Sequence, residues 1–379
     1  MKYKFEDIAI NSTAKKLPEP SDNEHYIGLE HLDSSNLYVT RWGTETAPIG
    51  EKLLMKKGDV LFGKRRAYQK KVGIAPFDGI FSAHGMVLRP KEDVICKSFF
   101  PFFISSDYFL NEAIRISVGG LSPTINWKDL RVLEFELPSL EEQRVLADKL
   151  WAAYEVKESY KNLLARTDKL LHAQFEKMFG DPFSQNSTHR VKLQELCTLN
   201  PRRSQTYSPD LVVSFFPMEE VREDGRYTEF STRPYSKVCK GFTFAEDGDV
   251  IFAKITPCME NGKGTILRNL SNHIGFGSTE FHVLRPKDNI CTSEWLYVLT
   301  SLPRFREEAA KMMSGTGGQK RVPLSFLADF LVNVPDIKQQ EHFATIFHQN
   351  EKTKELLRKG IEAIEAVIRS LIAEGTTKV

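Results

Sequence analysis

The sequence predicts an α+β protein in which two similar β-rich globular domains are each followed by a long α-helix, with an internal pseudo-two-fold repeat. Short motifs recur in the same order roughly 190 residues apart along the 379-residue chain, which indicates a duplicated domain. Each copy ends in nearly forty residues with the apolar spacing of an amphipathic helix. A helix of that length cannot bury its apolar stripe on one small domain, so it needs a second helix as its partner.

The repeat is defined by motif pairs whose separation increases slowly along the chain. GDVLFGK at residue 58 matches GDVIFAK at residue 248, and VLRPK at residue 87 recurs without change at residue 283. Two more pairs keep this order: KFEDIAI at residue 4 with KLQELCT at residue 192, and IGLEHL at residue 27 with FPMEEV at residue 216. Chance matches would not keep one order, and the period is too long for a solenoid unit, so the chain contains two copies of a domain. Within each copy, short β-rich runs are broken by Gly, Pro and Asn, as in strands joined by turns.

Both long helices are predicted to begin at the same sequence signal, a proline that lies five residues before a glutamine. The pairs are Pro138 with Gln143 and Pro335 with Gln340. Directly after each proline, a capping-box pattern is formed by Ser139 with Glu142 and by Asp336 with Gln339. The predicted boundaries are a first domain at 1–138, a helix at 139–179, a second domain at 180–335 and a helix at 336–379.

The two helices are predicted to pair as a coiled coil, because apolar residues recur in alternating steps of three and four. The residues predicted to make coiled-coil or subunit contacts are Leu146, Val156, Leu163 and Leu170 in the first helix and Phe343, Ile346, Leu357, Ile364 and Val367 in the second. Asn350, in the same phase, is the kind of polar residue that fixes the register of such a pair. Each helix carries equal numbers of basic and acidic residues, which suits protein–protein packing better than phosphate binding. The alternative is that each helix packs separately on its own domain.

Composition excludes several classes of protein. With 41% hydrophobic and 27% charged residues, the chain has the composition of a soluble globular protein. No apolar run approaches the roughly 18–20 residues of a membrane span, and the first residues lack the pattern of a signal peptide. The five cysteines are odd in number and show no C-x-x-C pairing, and the nine histidines are scattered. We therefore expect a cytoplasmic protein without a disulfide framework or a bound metal.

A strongly basic segment in the first domain is a candidate nucleic-acid contact. Between Lys56 and Lys71, seven basic residues are accompanied by a single acidic one, Asp59. The residues expected to contact nucleic acid are Lys64, Arg65, Arg66, Tyr68, Lys70 and Lys71, and at the corresponding position of the second domain Lys254, Thr256, Asn261 and Lys263. Cations beside Asn, Thr and Tyr suit contact with phosphates and base edges. A basic run is more often an ordinary solvated face, but its occurrence at the same position of both copies favours nucleic acid.

A glycine-rich loop precedes the last strand and the long helix of each copy, at SVGGLSPTINWKDL (117–130) and SGTGGQKRVPLSFL (314–327). Successive backbone amides in such a loop could form an anion-binding nest, with Gln319, Lys320 and Arg321 reaching DNA. A tight connection between strand and helix is an equally good interpretation, so both stay open at this point.

The sequence shows no motif of a familiar catalytic centre. Asn200 and Pro201 are followed by Arg202, whereas adenine methyltransferases hold a flipped base with a second proline and an aromatic residue. The chain also lacks the lysine motif of nucleotide-binding P-loops and the G-x-S-x-G motif of serine hydrolases. A duplicated pair of domains without an acid–base constellation favours a binding protein over an enzyme.

In these residues the chain resembles the specificity subunit of Type I restriction–modification systems. GDVIFAKITPCMENGKG with GFGSTEFHVLRP (248–286) resembles the second target-recognition domain of such subunits, and YIGLEHL with GDVLFGKRRAYQKK resembles the first. The two P-x-x-x-E-Q helix starts resemble the spacer regions of the family, although Gln339 replaces the usual glutamate in the second.

The resemblance implies a DNA-binding subunit without catalytic residues or cofactors of its own. Its two target-recognition domains would each recognise, through the major groove, one half of a bipartite, asymmetric double-stranded DNA site, and two antiparallel helices would hold them apart. Two adenine-N6 methyltransferase subunits would bind it and two ATP-dependent restriction subunits would complete the nuclease, with S-adenosylmethionine, ATP and Mg²⁺ on those partners and no membrane involved. Two alternatives stay open: a partner-dependent half of a fused restriction enzyme–methyltransferase, and a scaffold that binds no DNA.

Overall fold

The computed structural model describes residues 1–185, 190–227, 230–316 and 318–376. The chain forms two compact units: unit 1 comprises Met1–Asn162 and Arg358–Val379, and unit 2 comprises Leu163–Leu357. Each of the two 40-residue helices contributes one part to each unit. The fold is the predicted α+β repeat, with two β-rich domains that are each followed by a long helix.

Unit 1 contains two four-stranded sheets and a two-stranded ribbon. Its strands are β1 (Lys2–Lys4), β2 (Ala9–Ser12), β3 (Lys15–Lys16), β4 (Tyr26–Ile27), β5 (Lys52–Met55), β6 (Val60–Gly63), β7 (Val72–Ile74), β8 (Gly79–Phe81), β9 (Gly85–Pro90) and β10 (Glu134–Glu136). Its helices are α1 (Phe5–Ile8), α2 (Phe100–Ser105), α3 (Asp107–Arg115), α4 (Trp127–Leu130) and the first part of α5 (Leu140–Phe179), with 3-10 turns at Pro20–His25, Leu29–His31 and Ala67–Gln69. The sheets have the strand orders β2-β9-β6-β7 and β3-β5-β8-β4, and β1 pairs with β10.

Unit 2 repeats the first sheet and the ribbon of unit 1, and its second sheet differs at the edge strands. Its strands are β11 (Arg190–Lys192), β12 (Cys197–Leu199), β13 (Val212–Phe216), β14 (Ser231–Pro234), β15 (Thr243–Glu246), β16 (Val250–Ala253), β17 (Gly264–Ile266), β18 (Ile274–Gly277), β19 (Phe281–Pro286) and β20 (Leu331–Asn333). Its helices are α6 (Leu193–Leu196), α7 (Tyr235–Val238), α8 (Ser293–Ser301), α9 (Pro303–Lys311), α10 (Leu324–Asp329) and the first part of α11 (Ile337–Thr376), with a 3-10 turn at Ser271–His273. The order β12-β19-β16-β17 corresponds to β2-β9-β6-β7, and β11 pairs with β20 as β1 does with β10. In the second sheet, β14-β13-β18-β15, one strand pair is parallel, like the β4–β8 pair of unit 1.

The GDV and VLRP motifs form the same ion pair in both units. In unit 1, the Arg89 guanidinium donates two hydrogen bonds of 2.8 Å to Asp59, whose side chain is only 7% exposed. In unit 2, Arg285 donates two hydrogen bonds of 2.8 Å to Asp249, which is 2% exposed. The strands that carry these motifs are direct neighbours, β6 beside β9 and β16 beside β19. A bidentate arginine–carboxylate pair fixes geometry as well as adding energy, so these motifs lock the central strands of each unit together.

Aromatic side chains form the centre of the unit 1 core. Phe5, Phe103, Phe109 and Phe135 are completely buried, and their ring centroids lie between 5.0 and 6.0 Å apart in tilted or edge-on contacts. Such offset and edge-on arrangements are the ones that aromatic pairs prefer. The contacts join α1, α2, α3 and β10, so the beginning and the end of the first domain share one core.

The repeated proline and glutamine fasten each long helix to its own domain. Gln143 is completely buried, and its side chain accepts a hydrogen bond from the Cys96 backbone amide at 2.7 Å. It donates to the carbonyl groups of Val94 and Pro138 at 3.1 and 3.0 Å. Gln340 is also completely buried and makes the same three bonds, with the Thr292 amide and the Ile290 and Pro335 carbonyl groups. The spacing from proline to glutamine is thus set by a hydrogen bond across the first helical turn.

The predicted capping box is present at the start of the first helix, and at the second start the Asp336 side chain caps the helix but bonds to Lys338 and not to Gln339. The Ser139 backbone amide donates to the Glu142 carboxylate at 2.9 Å, and the Glu142 amide donates to the Ser139 hydroxyl at 3.3 Å, which completes a capping box. In the second helix, the Asp336 carboxylate accepts from the Lys338 amide at 2.8 Å. Both side chains therefore satisfy backbone amides that have no partner within the helix.

In unit 1, the beginning of α5 packs against the end of α11. Gly375 lies beside Leu146, and Gly360 lies so close to the Tyr160 ring that a Cβ atom there would come within 2.5 Å of it. Glycine at residue 360 therefore permits a close approach of the two helices. Because the start of one helix meets the end of the other, the pair is antiparallel.

In unit 2, the end of α5 packs against the beginning of α11 in the same antiparallel sense. The ring centroids of Phe175 and Phe343 are 5.3 Å apart. The Asn350 side-chain amide donates to the Thr167 carbonyl group at 3.0 Å, so this polar residue does contact the partner helix. A hydrogen bond of this kind can be made at only one relative position of the helices, which is how a polar residue sets register.

The buried face of α5 lies one residue away from the predicted contact positions. Val156, Leu163 and Leu170 are 45%, 50% and 58% exposed, so they lie on the outer face of the helix, and only Leu146 of the predicted set is buried. The positions buried instead are Ala147, Leu150, Tyr154, Lys157, Leu171 and Phe175. In α11, Phe343 and Leu357 are buried and Ile346 and Ile364 are half-buried, whereas Val367 is exposed. In α11, the predicted positions that repeat every seven residues, such as Phe343 and Leu357, do lie on the buried face. The positions predicted between them are one residue too early, because Phe347 and Lys354 are buried instead.

Polar residues in the buried face account for this error. The Lys157 ammonium group donates to the Ser35 carbonyl group at 3.1 Å, and the Tyr154 hydroxyl accepts from the Leu37 amide at 2.5 Å. In unit 2, Lys354 forms a 2.7 Å ion pair with Asp168 of α5. The buried face of α5 therefore covers its own domain as well as α11, and it uses lysine and tyrosine where a simple coiled coil would use leucine.

Candidate nucleic-acid interface

The structure joins the two candidate loops of unit 1 into one surface. The basic loop pairs with the glycine-rich loop through a backbone bridge between Arg65 and Thr124. The Arg66 amide donates to the Pro123 carbonyl group at 2.8 Å, and the Ile125 amide donates to the Lys64 carbonyl group at 2.9 Å. Segments that lie more than fifty residues apart in sequence thus form a single edge.

Cations are concentrated on this edge. Arg65 and Arg66 are exposed, and Arg66 has a left-handed backbone conformation with φ of 54°. An Arg65 guanidinium nitrogen lies 3.3 Å from the His84 ring. Burial, followed by the nearby charges of Arg65, Lys64 and Lys52, lowers the pKa of His84. The pKa of Lys64 is also lowered, by burial and then by the charge of Lys15. Burial is the larger cause for both groups, and the neighbouring positive charges add to it, as expected where cations lie close together and an anion would be favoured.

The other predicted residues of the first basic loop differ in their surroundings. Tyr68 is 56% exposed. Lys70 forms an ion pair with Asp107 on α3. The Lys71 ammonium group donates to the Leu29 carbonyl group at 2.7 Å, so it fastens the loop to the domain. Lys64, Arg65 and Arg66 are therefore the better placed candidates for an external anion.

Unit 2 joins its two candidate loops in the same way. Ile255 and Arg321 form a backbone bridge that corresponds to the Arg65–Thr124 bridge of unit 1. The Thr256 amide donates to the Lys320 carbonyl group at 3.0 Å, and the Lys320 amide donates to the Thr256 hydroxyl at 3.1 Å. Gln319 and Lys320 are exposed. The sequence left open whether the glycine-rich segments were only connections, and in both units they lie against the basic loop.

Besides Thr256, whose hydroxyl donates to the Gly318 carbonyl group at 2.7 Å, three predicted residues of unit 2 are engaged within the protein. Arg321 forms two hydrogen bonds with the Glu280 carboxylate, at 2.8 and 2.9 Å, and this pair lowers the pKa of Glu280. The Asn261 amide donates to Glu223 at 2.7 Å, and the Lys263 ammonium group donates to the Met218 carbonyl group at 3.1 Å. These contacts hold the loop in place and leave Lys254, Gln319 and Lys320 as the more available groups.

A buried arginine holds the basic loop of unit 2 through hydrogen bonds to its backbone. Arg306 on α9 is 7% exposed, and burial lowers its pKa to about 10, so it stays charged at neutral pH. Its guanidinium group donates to the carbonyl groups of Thr300, Met259, Lys263 and Gly262 at 2.7, 3.0, 3.4 and 3.3 Å. One side chain therefore fixes three backbone positions of the loop.

An open groove of about 540 Å³ lies beside Lys254. Its lining combines cationic, aromatic and small polar side chains: Arg202, Arg203, Phe242, Thr243 and Thr279. Arg203 is held by the Tyr235 hydroxyl at 2.6 Å and by the Cys239 carbonyl group. This lining supplies hydrogen-bond donors and acceptors together with aromatic faces, which are the groups that contact bases and phosphates.

Comparison with known proteins identifies the family. The model of the Type I restriction modification DNA specificity domain matches residues 3–165 and again residues 188–366. The chain belongs to this family. Each copy of the internal repeat matches the family model once. The duplication seen in the sequence is therefore a duplication of the specificity domain.

Relatives in the specificity-domain family are named as specificity subunits. The chain is 30% identical over 189 residues to the Type I restriction enzyme EcoEI specificity subunit of Escherichia coli, a match that covers 48% of this chain and 32% of that protein. It is 35% identical over 159 residues to the EcoAI specificity subunit of Escherichia coli, covering 41% of this chain and 27% of the relative. The matched segments thus span about a third or less of these two relatives.

Solved structures show the same fold. The crystal structure of the Type I restriction-modification system S subunit from M. genitalium aligns with a TM-score of 0.56 at 15% identity, over 100% of this chain and 96% of that one. A chain from work on complex assembly and conformational transition of the type I R-M system aligns with a TM-score of 0.56 at 17% identity, covering 99% of this chain and 97% of the other.

Several residues of this specificity-domain surface were not predicted from the sequence. His84 joins the positive edge of unit 1 only through folding, since an Arg65 guanidinium nitrogen lies 3.3 Å from its ring. Of its other basic neighbours, Lys52 is buried and donates to the carbonyl groups of Ile49 and Gly50, so it is engaged within the protein. In the sequence, Arg202 only marked a departure from a methyltransferase motif. In the structure it lines the groove beside Lys254, which makes it a further candidate for contacting nucleic acid. Within the described ranges, no group of three or more His, Cys, Asp or Glu side chains could hold a metal ion. In the same part of the chain, no helix has the length and apolar content that crossing a membrane requires.

Proposed function

We propose that the chain is the DNA-recognition subunit of a Type I restriction–modification complex. The target-recognition domains at 1–138 and 180–335 each recognise one half of a bipartite, asymmetric double-stranded DNA site. The spacer helices at 139–179 and 336–379 connect them. The observation that carries the proposal is the recurrence of one surface in both units, a basic loop paired with a glycine-rich loop. Family membership supports it.

The proposal assigns the chemistry to partner subunits. Two adenine-N6 methyltransferase subunits bind the chain, two ATP-dependent restriction subunits join them, and the assembly works in the cytoplasm. S-adenosylmethionine, ATP and Mg²⁺ are held by those partners. The outer face of α5 supports a role in assembly, because Val156, Leu163 and Leu170 form an exposed apolar stripe at helical spacing.

A salt titration of DNA binding tests the recognition role. The full chain is mixed with a random-sequence duplex, and its affinity is measured at increasing salt. Neutralising Lys64, Arg65 and Arg66 to glutamine is expected to lower affinity and to reduce the log–log salt slope by about 0.9 for each phosphate that the variant no longer neutralises.

The matched control neutralises three exposed lysines of α5, Lys149, Lys169 and Lys177, and removes the same total charge. An equal change of slope in the control would mean that the loop contributes only net charge. Wild-type protein without salt-dependent affinity for duplex DNA would contradict the proposed function and favour a scaffold.

A further inference from the structure

An arginine–glutamate pair lies on the candidate surface of unit 2. The Arg321 Nε atom donates to one oxygen of the Glu280 carboxylate at 2.8 Å, and its Nη2 atom donates to the other oxygen at 2.9 Å. Arg321 belongs to the glycine-rich loop, and Glu280 belongs to the turn between β18 and β19. Their side chains are 40% and 27% exposed, so a ligand on this surface can reach the pair.

The pair borders the groove beside Lys254. The Lys254 amide donates to the Glu280 carbonyl group at 2.9 Å, and Thr279, the residue before Glu280, lines the groove. The hydrogen bonds from Arg321 are the main cause that lowers the pKa of Glu280, so this carboxylate is ionised at neutral pH. An ionised pair thus joins the groove to the glycine-rich loop.

The ion pair occupies only one side of the guanidinium group. Arginine presents its N–H donors in a fixed planar fork, and Glu280 accepts from the side formed by Nε and Nη2. The Nη1 atom makes a single long bond, of 3.4 Å, to the Gln319 carbonyl group. Each terminal nitrogen of Arg321 therefore keeps an N–H that no described residue accepts.

Two N–H groups on neighbouring guanidinium nitrogens match the major-groove edge of guanine. Guanine presents the adjacent acceptors N7 and O6 there, and no other base presents two adjacent acceptors on that edge. A free arginine side chain loses much rotamer freedom when it binds. A carboxylate that already holds the fork in one orientation reduces this loss, which favours a precise contact.

The alternative is that the pair only fastens the loop. Backbone bonds already do this, because the amides of Ser314 and Arg321 donate to each other's carbonyl groups at 3.0 and 2.8 Å. Arg321 also forms a backbone bridge with Ile255. An ion pair as exposed as this one adds little stability. What Glu280 adds is therefore the orientation of the Arg321 side chain.

We propose that Arg321 recognises a guanine through the major groove in the half site bound by unit 2, and that Glu280 is the positioning residue that holds its guanidinium group for this contact. The proposal rests on the proposed DNA-recognition function and deepens it, because it names the base and the residues that distinguish it. A carboxylate beside DNA also repels phosphates. Glu280 is therefore expected to lower overall affinity while it raises discrimination between bases.

The pair is expected to act in one half site only. The backbone bridges align Arg321 with Thr124 of unit 1. The amides of Glu280 and His84 each donate to the hydroxyl group of a serine two residues earlier, so their turns align as well. Unit 1 thus has a threonine and a histidine in place of the arginine and the glutamate, and its half site supplies an internal control.

The first test uses the unaltered full chain. A random-sequence duplex library is bound, and the bound fraction is sequenced to define the site. Hydroxyl-radical footprinting of the variant with Lys64, Arg65 and Arg66 replaced by glutamine assigns the half site of unit 1, because that half loses protection. Each guanine of the other half is then replaced singly by 7-deazaguanine, which lacks the N7 acceptor. We expect one guanine at which this replacement weakens binding several-fold.

Variants then assign that guanine to Arg321. Exchanging its base pair for A·T should weaken wild-type binding by about 5-fold to 150-fold, the range expected of a bidentate contact. In Arg321→Met, neither this exchange nor 7-deazaguanine should have much effect. Arg321→Lys can keep the ion pair, and so the fold, if the methionine variant does not fold. It should also lose discrimination, because an ammonium group does not replace the guanidinium fork.

Glu280→Gln tests the positioning role. It should lose much of the preference for the guanine, yet bind random-sequence duplex at least as tightly as the wild type, because it removes negative charge beside the phosphates. Asp329→Asn is the matched control, since it removes the same charge from the exposed ion pair with Lys192 in the same unit and should keep the site preference.

Several outcomes would overturn the assignment. If the half site of unit 2 has no sensitive guanine, or if the Arg321 variants retain the sensitivity, Arg321 does not recognise the base, although the recognition function stands. If Glu280→Gln strengthens binding to the site and to random duplex equally, Glu280 only repels phosphates and has no positioning role. Wild-type protein that binds no duplex would refute the proposed function and this proposal with it.

Discussion

Arg306 is expected to set the conformation of the second basic loop, and its replacement by methionine tests this. Methionine replaces the aliphatic part of the side chain but removes the guanidinium group and its hydrogen bonds to Thr300, Met259, Gly262 and Lys263. The Met259 and Lys263 carbonyl groups would keep one backbone donor each, the amides of Gly262 and Ala253. The Gly262 carbonyl group would have to reach water, because a buried carbonyl group without a donor is unfavourable.

The size of the effect follows from the number of hydrogen bonds removed. A buried acceptor left without a donor costs about 1–3 kcal/mol, and bonds from a charged donor lie at the upper end. Removing the guanidinium group also removes the cost of burying its charge, which offsets part of this destabilisation. Because the loop can open and hydrate, the net decrease in closed-loop stability is expected to be about 2–4 kcal/mol, or roughly 30-fold to several-hundred-fold in the opening equilibrium.

Hydrogen–deuterium exchange measures that opening directly. The amides of Asn261, Gly262 and Lys263 are hydrogen-bonded within the loop, and in Arg306→Met they should exchange faster by that factor. Arg306→Lys should be intermediate, because one ammonium group cannot reach every carbonyl that the guanidinium fork does.

The matched control is Arg304→Met, two residues earlier on α9. Arg304 is exposed, and its ion pair with Asp181 is a surface contact of small value. Exchange in Arg306→Met that equals the wild type would refute the idea that this arginine holds the loop.

Two further outcomes are expected. Burial is the main cause that lowers the pKa of His282 below 6.5, and its Nε2 lies 2.9 Å from the Val322 carbonyl oxygen. The unfolded chain therefore binds the proton more readily than the folded one, so this histidine destabilises unit 2 as the pH falls below about 6.5 and has no such effect above it. Urea unfolding across this range should show a shallower pH dependence in His282→Gln, and an identical dependence would contradict the assignment. In α5, replacing the exposed Leu163 and Leu170 together by serine should change the free energy of unfolding by less than about 0.5 kcal/mol but weaken methyltransferase binding. Replacing the buried Leu171 by serine should lower the free energy of unfolding by about 2–5 kcal/mol. Strong destabilisation by the Leu163 and Leu170 pair would mean that these residues do form the contact between the helices.

The sequence by itself determined the architecture of the protein, because that information is local or repeated. Capping residues and the proline–glutamine spacing marked both helix starts, since Ser139 and Gln143 act within the first turn and on the adjoining loop. The duplicated motifs predicted two equivalent units, and the Asp59–Arg89 pair with its counterpart shows the contact that this repetition preserves. Family membership followed from the same motifs.

Only the tertiary structure decided which face of α5 is buried. Counting apolar residues favoured Leu163 and Leu170, yet the helix buries Lys157 and Tyr154, whose polar ends reach backbone groups of the adjacent domain. A long side chain can bury its stem while its polar end finds a partner. That partner lies more than a hundred residues away, so periodicity within one helix cannot reveal it.

The tertiary structure also decided which of the predicted basic residues are engaged within the protein and which remain candidates for contacting DNA. Lys71 and Lys263 lie in the same basic loops as Arg65 and Lys254. Their ammonium groups, however, donate hydrogen bonds to backbone carbonyl groups of the protein. His84 has no basic neighbours in sequence and gains them through folding. Charge composition locates a positive segment, whereas the partners of each charge come from strands and loops that only the fold brings together.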